Sequence, residues 1–287
     1  MEIDKMTIAI SIKVNDGVVL AADSASTLFG AGGVQNVYNT ANKVFNLYKG
    51  LPIGSITWGS GGIGNSSIST LIKDLRKRFM GFDKTHQDWK IDKESYKMED
   101  VAKAVKTFFY DEQYKKFYTD PKVQPVLGFI IAGYSTNEEL AEEWRIFISN
   151  GNCEGPTLLR PKEISGIAWD GQPELLYRII KGHGTGLQVV LENLGTPKNQ
   201  IPTVIQNIES QLEVPLHHPA MPIQDAIDLA NFLVEATIMF SRFAPGAPTV
   251  GGPIEIAAIT KHEDFKWVDR KLYYSDKLNP TLYETNI

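Results

Sequence analysis

The sequence predicts an α+β fold in which two antiparallel sheets pack together with helices outside each. Three observations predict it. Strand-like runs open the chain; apolar spacing of three to four residues follows Gly64 and returns at Met98, Pro173 and Ile223; strand signals come back in between and once more at the end. Strands, two helices, strands, two helices and a last strand suit two sheets that bury one face against each other and the other under helices.

Each element follows from its residues. Thr7–Leu20, TIAISIKVNDGVVL, alternates β-branched and polar residues, breaks at Asn15-Asp16-Gly17 and resumes as an apolar run into Ala21 and Ala22, which reads as a hairpin. A Gly-rich loop carrying Gly30, Gly32 and Gly33 follows, then strand-like runs KVFNLY from Lys43 and LPIGSITW from Leu51. Ile68, Ile72, Leu75 and Phe79 line one face of a helix capped by Asn65, Ser66 or Ser67, and a second helical pattern runs from about Met98 to Tyr118. Pro125–Tyr134 and Glu143–Asn150 read as a second hairpin turning around Asn137–Glu139. Helical stretches at Pro173–Ile180 and Ile223–Phe240 flank a segment with Gly, Pro, Asn and His that holds a further amphipathic piece, and Pro253–Thr260 is the last strand before a polar tail.

Composition narrows the function classes. Of 287 residues, 43% are hydrophobic and 22% charged, the makeup of an ordinary globular chain. A net charge of -5, with Lys and Arg scattered among acids, argues against nucleic acid as a partner, because phosphate binding needs clustered cations. The lone Cys153 rules out an intrachain disulfide and points to a reducing, cytoplasmic setting. Met1–Met6 lack the basic and apolar regions of a signal peptide, and no uncharged apolar run is long enough to span a bilayer, so no membrane partner is expected. His217 and His218 are adjacent in a proline-rich turn with no matching Cys or His cluster, so no metal and no other cofactor is expected.

Three residues in the N-terminal part carry chemistry together: Thr7 at the head of the first strand, Asp23 within VVLAADSAST, and Lys43 opening a later strand in NKVFNL. The stretch TIAISIKVNDGVVLAADSAST, with sixteen positions from Thr7 to Asp23, resembles the start of a proteasome β-type subunit of the N-terminal-nucleophile (Ntn) hydrolase superfamily. Lys43-Val44 resembles that family's lysine, and GSITWGSGG its glycine-bearing turn. The helix pair, PVLGFIIAGY, the helix at Ile223–Phe240 and VGGPIEIAAIT fall in the family's order, so the likeness runs from Thr7 to about His262.

The resemblance implies a four-layer αββα sandwich, a Thr-dependent amide hydrolase acting on a peptide or protein, assembly into a homo-oligomeric ring and an ATP-dependent unfoldase as partner. It divides the chain into residues 1–6, a propeptide or alternative-start extension; a domain over 7–262 with an insertion at about 182–220; and a C-terminal extension over 263–287. It makes Thr7, Asp23 and Lys43 catalytic and the backbone of Gly59, Ser60 and Gly61 the oxyanion donors, with Ser24, Thr27 and Asp170 as substrate-aligning or supporting residues. Asp170 enters because Trp169-Asp170-Gly171 stands where the family has a Gly-Ser-Gly turn.

The chemistry is sound in its own terms. A threonine hydroxyl needs a base, and a freed α-amine with a pKa of about 7.7–8.0 is a better one near neutrality than a lysine at about 10.4. Lys43 would keep the surroundings of the hydroxyl positive, and Asp23 would hold that ammonium charged and aimed. Two other functions are carried as alternatives. One is a catalytically silent ring scaffold, favoured by Ala247–Val250, which offers Thr249 alone as a polar side chain where active members have an Asp and a Ser. The other is a dinucleotide-binding protein, since Gly59–Gly64 reads G-x-G-x-x-G between a strand and a helix.

Overall fold

Strand and helix formers alternate along the chain much as their periodicity predicts. The computed structural model describes residues 7–30, 33–246 and 248–271, with no account of side chains over 27–30 and 33–35. β1 (Ile8–Val14) and β2 (Gly17–Ala22) form the first hairpin, buried at every position. β3 (Ser26–Gly30) and β4 (Gly33–Tyr38) pair with each other outside the large sheets, so the expected Gly-rich loop is instead a small hairpin. Its glycines hide a pairing that rests on backbone hydrogen bonds, and Tyr38 at its end is 55% exposed.

β5 (Val44–Asn46) and β6 (Ile53–Gly59) lead through the short strands β7 (Gly62–Ile63) and β8 (Ser66–Ser67) into α1 (Ile68–Phe79). Ser67 caps that helix by accepting the Thr70 N–H at 3.2 Å, one of the three caps its sequence offers. α2 (Met98–Lys106), a π-helical stretch over Thr107–Tyr114 and α3 (Lys115–Phe117) make up the second predicted helix. β9 (Leu127–Gly133) and β10 (Glu142–Ser149) form the second predicted hairpin.

β11 (Asn152–Leu158) and β12 (Gly166–Gly171) were not foreseen. Asn150 and Gly151, both at positive φ, make a two-residue turn from β10 to β11. The supposed turn at Trp169-Asp170-Gly171 is the end of β12, which pairs along β1. α4 (Glu174–Leu176) runs into a π-helical stretch over Tyr177–Lys181, and α5 (Leu187–Asn193), α6 (Ile201–Leu212) and α7 (Ile223–Phe243) follow. β13 (Glu255–Thr260) is the strand expected near the C-terminus, and β14 (Asp264–Asp269) pairs with it. The domain therefore continues past His262, because part of the expected extension completes a sheet edge.

Two five-stranded antiparallel sheets result, in the orders β12-β1-β2-β13-β14 and β11-β10-β9-β6-β5. Three apolar cores separate the layers. Ile8, Ile10 and Ile12 of β1 pack with Ala230, Leu233 and Val234 of α7 on one side. Leu20, Ala257 and Ile259 meet Ile56, Trp58 and Ile130 between the sheets. Ile53, Phe129 and Ile131 pack with Leu75, Phe79 and Val105 of the other helical side. This mixed α+β architecture is compatible with a sandwich of two sheets between helices. No helix among the described residues is long and apolar enough to cross a membrane.

The space between the sheets is not apolar throughout. Ser11 donates to Glu143 at 2.6 Å, Arg160 stands 3.0 Å from the same carboxylate, and Arg145 grips Asp170 through Nε and Nη2 at 3.1 and 2.6 Å. Burial pushes the Glu143 and Asp170 carboxyls above their ordinary pKa, against the pull of the facing arginines.

Candidate active site

The side chains that converge most tightly come from both sheets. Thr7 precedes β1, and the register that sets Ala9 opposite Ala22 brings Asp23, just after β2, beside Ile8. Lys43 precedes β5 in the other sheet, and its carbonyl accepts the Thr57 N–H at 2.9 Å. Face-to-face packing of the sheets thus brings Lys43 Nζ to 2.9 Å from Thr7 Oγ1 and 2.6 Å from Asp23 Oδ1. All three residues are buried, Thr7 at 3%, Asp23 at 0% and Lys43 at 6% exposure.

Asp23 is surrounded by donors. Oδ1 accepts the Ile8 N–H at 3.1 Å as well as Lys43, and Oδ2 accepts the N–H groups of Ala25 at 3.1 Å and Gly251 at 3.0 Å. The segment before Gly251, which lacks the Asp and Ser that the family resemblance implies, thus supports the site through the neighbouring backbone. Burial lowers the Lys43 pKa, and attraction to Asp23 and Glu255 offsets part of that fall.

Two charged residues beside the triad escaped the sequence reading. Glu255 Oε2 accepts the backbone N–H of Lys43 at 3.0 Å, fixing the stem of the lysine. Lys271 Nζ lies 3.2 Å from Glu255 Oε1 and donates to the Ala41 carbonyl and to Ser24 Oγ. Asp23, Lys43, Glu255 and Lys271 bring two acids and two bases together in one buried cluster, and burial lowers the Lys271 pKa as well. Glu255 sits inside PIEIAAIT, where one acid in an apolar strand was the available signal.

Thr7 faces a cavity of about 460 Å³, whose walls include Lys43, Trp58, Gly61, Ser69 and Lys73. Gly59, Ser60 and Gly61 all line it, but they are not equivalent. The Ser60 N–H is taken by the Val126 carbonyl at 2.7 Å, which removes it as an oxyanion donor. The Gly61 N–H donates to no group among the described residues. Gly61 is thus the one member of the turn with an identified spare donor at the cavity wall.

Of the three supporting residues, two lie elsewhere. Ser24 is fully buried, donates to the Pro253 carbonyl at 2.6 Å and accepts from Lys271, so it pins the backbone and cannot align a substrate. Asp170 is committed to Arg145 between the sheets, which gives it a structural role in place of the supporting serine. Thr27 lies in β3, but its side chain is outside the described residues. The loop at Gly59–Gly64 does not open a dinucleotide fold, because β9, the strand paired with β6 after the intervening helices, runs antiparallel to it.

Thr7 itself is held by the chain opposite. Its carbonyl accepts the Gln172 N–H at 2.7 Å, and Gly171 at φ 97° passes so close that a Cβ there would lie 1.8 Å from the Thr7 oxygen. Gly171→Ala is expected to cost about 1–3 kcal/mol through the left-handed backbone and the clash. A thermal melt checks it; a variant as stable as the parent would show that Thr7 is not clamped there.

No protein-family model and no curated protein sequence matches this chain.

Proposed function

We propose that this protein is a threonine-dependent amide hydrolase of the Ntn type, built on the corresponding αββα sandwich and acting in the cytoplasm on peptides or proteins. The observation that carries the proposal is the Lys43 ammonium held between Thr7 Oγ1 and Asp23. Lys43 donates to the hydroxyl oxygen, which leaves the hydroxyl proton for a base and stabilises negative charge as it develops on Oγ1.

The reaction needs Thr7 at the chain's start, with the Met6–Thr7 peptide bond cleaved or translation begun at Met6 and that methionine removed. The freed Thr7 amine takes the Oγ1 proton while Oγ1 attacks the substrate carbonyl carbon. The tetrahedral oxyanion then receives the Gly61 N–H. Proton return from the Thr7 ammonium lets the amine product leave, and water hydrolyses the remaining ester, restoring Thr7. Neither step draws a proton from Lys43, whose part is electrostatic. Assembly into a homo-oligomer, with an unfoldase feeding substrate, belongs to the same proposal, and the exposed Val189, Val190 and Leu194 on and beside α5 support a protein contact there.

The test is intact mass and N-terminal sequencing of protein from its native host, followed by a threonine-directed epoxyketone or β-lactone probe. A chain that begins at Thr7, takes up one probe and fails to do so as Thr7→Ala is the expected result. A chain still carrying residues before Thr7 and unlabelled would replace the hydrolase with the silent scaffold, which the lack of an acid in Ala247–Val250 favours.

A further inference from the structure

Beside the catalytic cavity lies a second one of about 320 Å³, between β5, α1 and β14. Asn42, Ser69 and Lys73 line both, so the two adjoin. The second cavity gathers Lys49, Lys73, Arg76 and Arg270 against a single carboxylate, that of Glu255. Glu255 is already opposed by Lys271 and bonded to the backbone of Lys43, so it does not neutralise the four cations.

Such a cluster is out of character for this chain. Acids outnumber bases 34 to 29, and four of the five arginines outside this cavity have an acidic partner: Arg78 with Glu112, Arg145 with Asp170, Arg160 with Glu143, Arg178 with Glu174. None of the four cations in this cavity has an acidic partner among the described residues. The Arg76 Nε is buried and makes no hydrogen bond among the described residues, and burial together with the facing Arg270 lowers the Arg76 pKa. Arg270 is held in place over the Trp267 ring at 4.7 Å. Asn46 also lines the cavity with a buried amide oxygen that meets no donor among the described residues; turned over, the amide would present its N–H groups to a ligand.

We propose that this cavity binds a small oxyanion, a carboxylate or a phosphate group, gripped by Arg76 and Arg270 with Lys49 and Lys73 around it. Guanidinium groups match the two oxygens of such a ligand, and a desolvated, unpaired arginine is costly until one arrives. Binding here does not depend on hydrolysis by Thr7, and it is read without an activity assay.

Isothermal titration calorimetry on the full chain in low-salt buffer tests this with inorganic phosphate in one arm, and in the other a short acetylated peptide with a free C-terminal carboxylate beside its C-terminal amide. Saturable one-to-one binding of phosphate or of the peptide acid is expected, weakened at least tenfold in Arg76→Gln and in Arg270→Gln. Peptide acid without its amide would identify a carboxylate as the ligand, and phosphate alone a phosphate group. Should Arg76→Gln fail to fold, the exposed Arg270→Gln carries the comparison. Absence of saturation with every ligand, or affinities within twofold of the parent in the folded variants, would overturn the proposal.

Discussion

Asp23→Ala is expected to lower the unfolding free energy by about 3–5 kcal/mol, the range for removing one partner of a buried ion pair. The carboxylate is fully buried and accepts from Lys43 and from the N–H groups of Ile8, Ala25 and Gly251. Truncation leaves three backbone donors without an acceptor and a buried ammonium without its closest counter-charge, in a space too tight to admit their full hydration. Those donors belong to β1, to the segment that follows β2 and to the approach to β13, so one side chain ties together the chain around three neighbouring strands of a sheet. Asp23→Asn keeps one acceptor oxygen and is expected to fall between parent and Ala. At about 2–4 °C per kcal/mol for a chain of this size, the Ala variant should melt roughly 6–20 °C lower. A melting point within a degree of the parent would mean that Asp23 is not the hub its contacts describe.

The same contacts show what the sequence could and could not disclose. β1, β2, β6 and β9 were legible because, buried on both faces, they read as short runs rich in apolar and β-branched residues between turn residues, and α1, α2 and α7 because each buries a three-to-four pattern; their order left few ways to stack the layers. β11 was missed although Asn150-Gly151 is a strong hairpin signal, because only a few of its side chains are more than half buried and no alternation follows the turn. β14 was missed for a similar reason: Phe265 is its one buried residue, so the strand looks polar in sequence.

At the site, Thr7, Asp23 and Lys43 do come together, but spacing alone could not say that Lys43 arrives from the opposite sheet. Nor could it separate Ser60, whose N–H is spent on Val126, from Gly61, whose N–H has no acceptor among the described residues. Ser24 and Asp170 look like functional residues until their partners, Pro253 and Arg145, are known from the tertiary structure. Glu255 offered only the signal of one acid in an apolar strand, and Lys271 offered none, because a buried acid and a buried base declare themselves by pairing across the fold.

If the proposed hydrolase holds, Lys43→Met in the chain beginning at Thr7 is expected to reduce kcat/KM by about 10³-fold, near 4 kcal/mol of transition-state stabilisation. The loss of stability should be smaller than in Asp23→Ala. Met is close to the lysine stem in shape, the buried ammonium and its desolvation cost disappear together, and Asp23 keeps its three N–H donors. The two variants therefore separate the site's catalytic work from its structural work. The pH profile supplies the second half of the prediction. The proposed reaction needs the ammonium form, and burial holds the Lys43 pKa below 10.5, so parent activity should fall as pH rises through a value below that of a free lysine. On the acid side, protonation of the freed Thr7 amine, at about 7.7–8.0 before any perturbation, sets the other limb. Lys43→Arg keeps the charge at all these pH values and should lose the alkaline limb while retaining more activity than Lys43→Met. Initial rates on a fluorogenic peptide from pH 6 to about pH 10 would read both effects. An unchanged alkaline limb in Lys43→Arg would assign that titration to another group, and full activity in Lys43→Met would remove Lys43 from the mechanism.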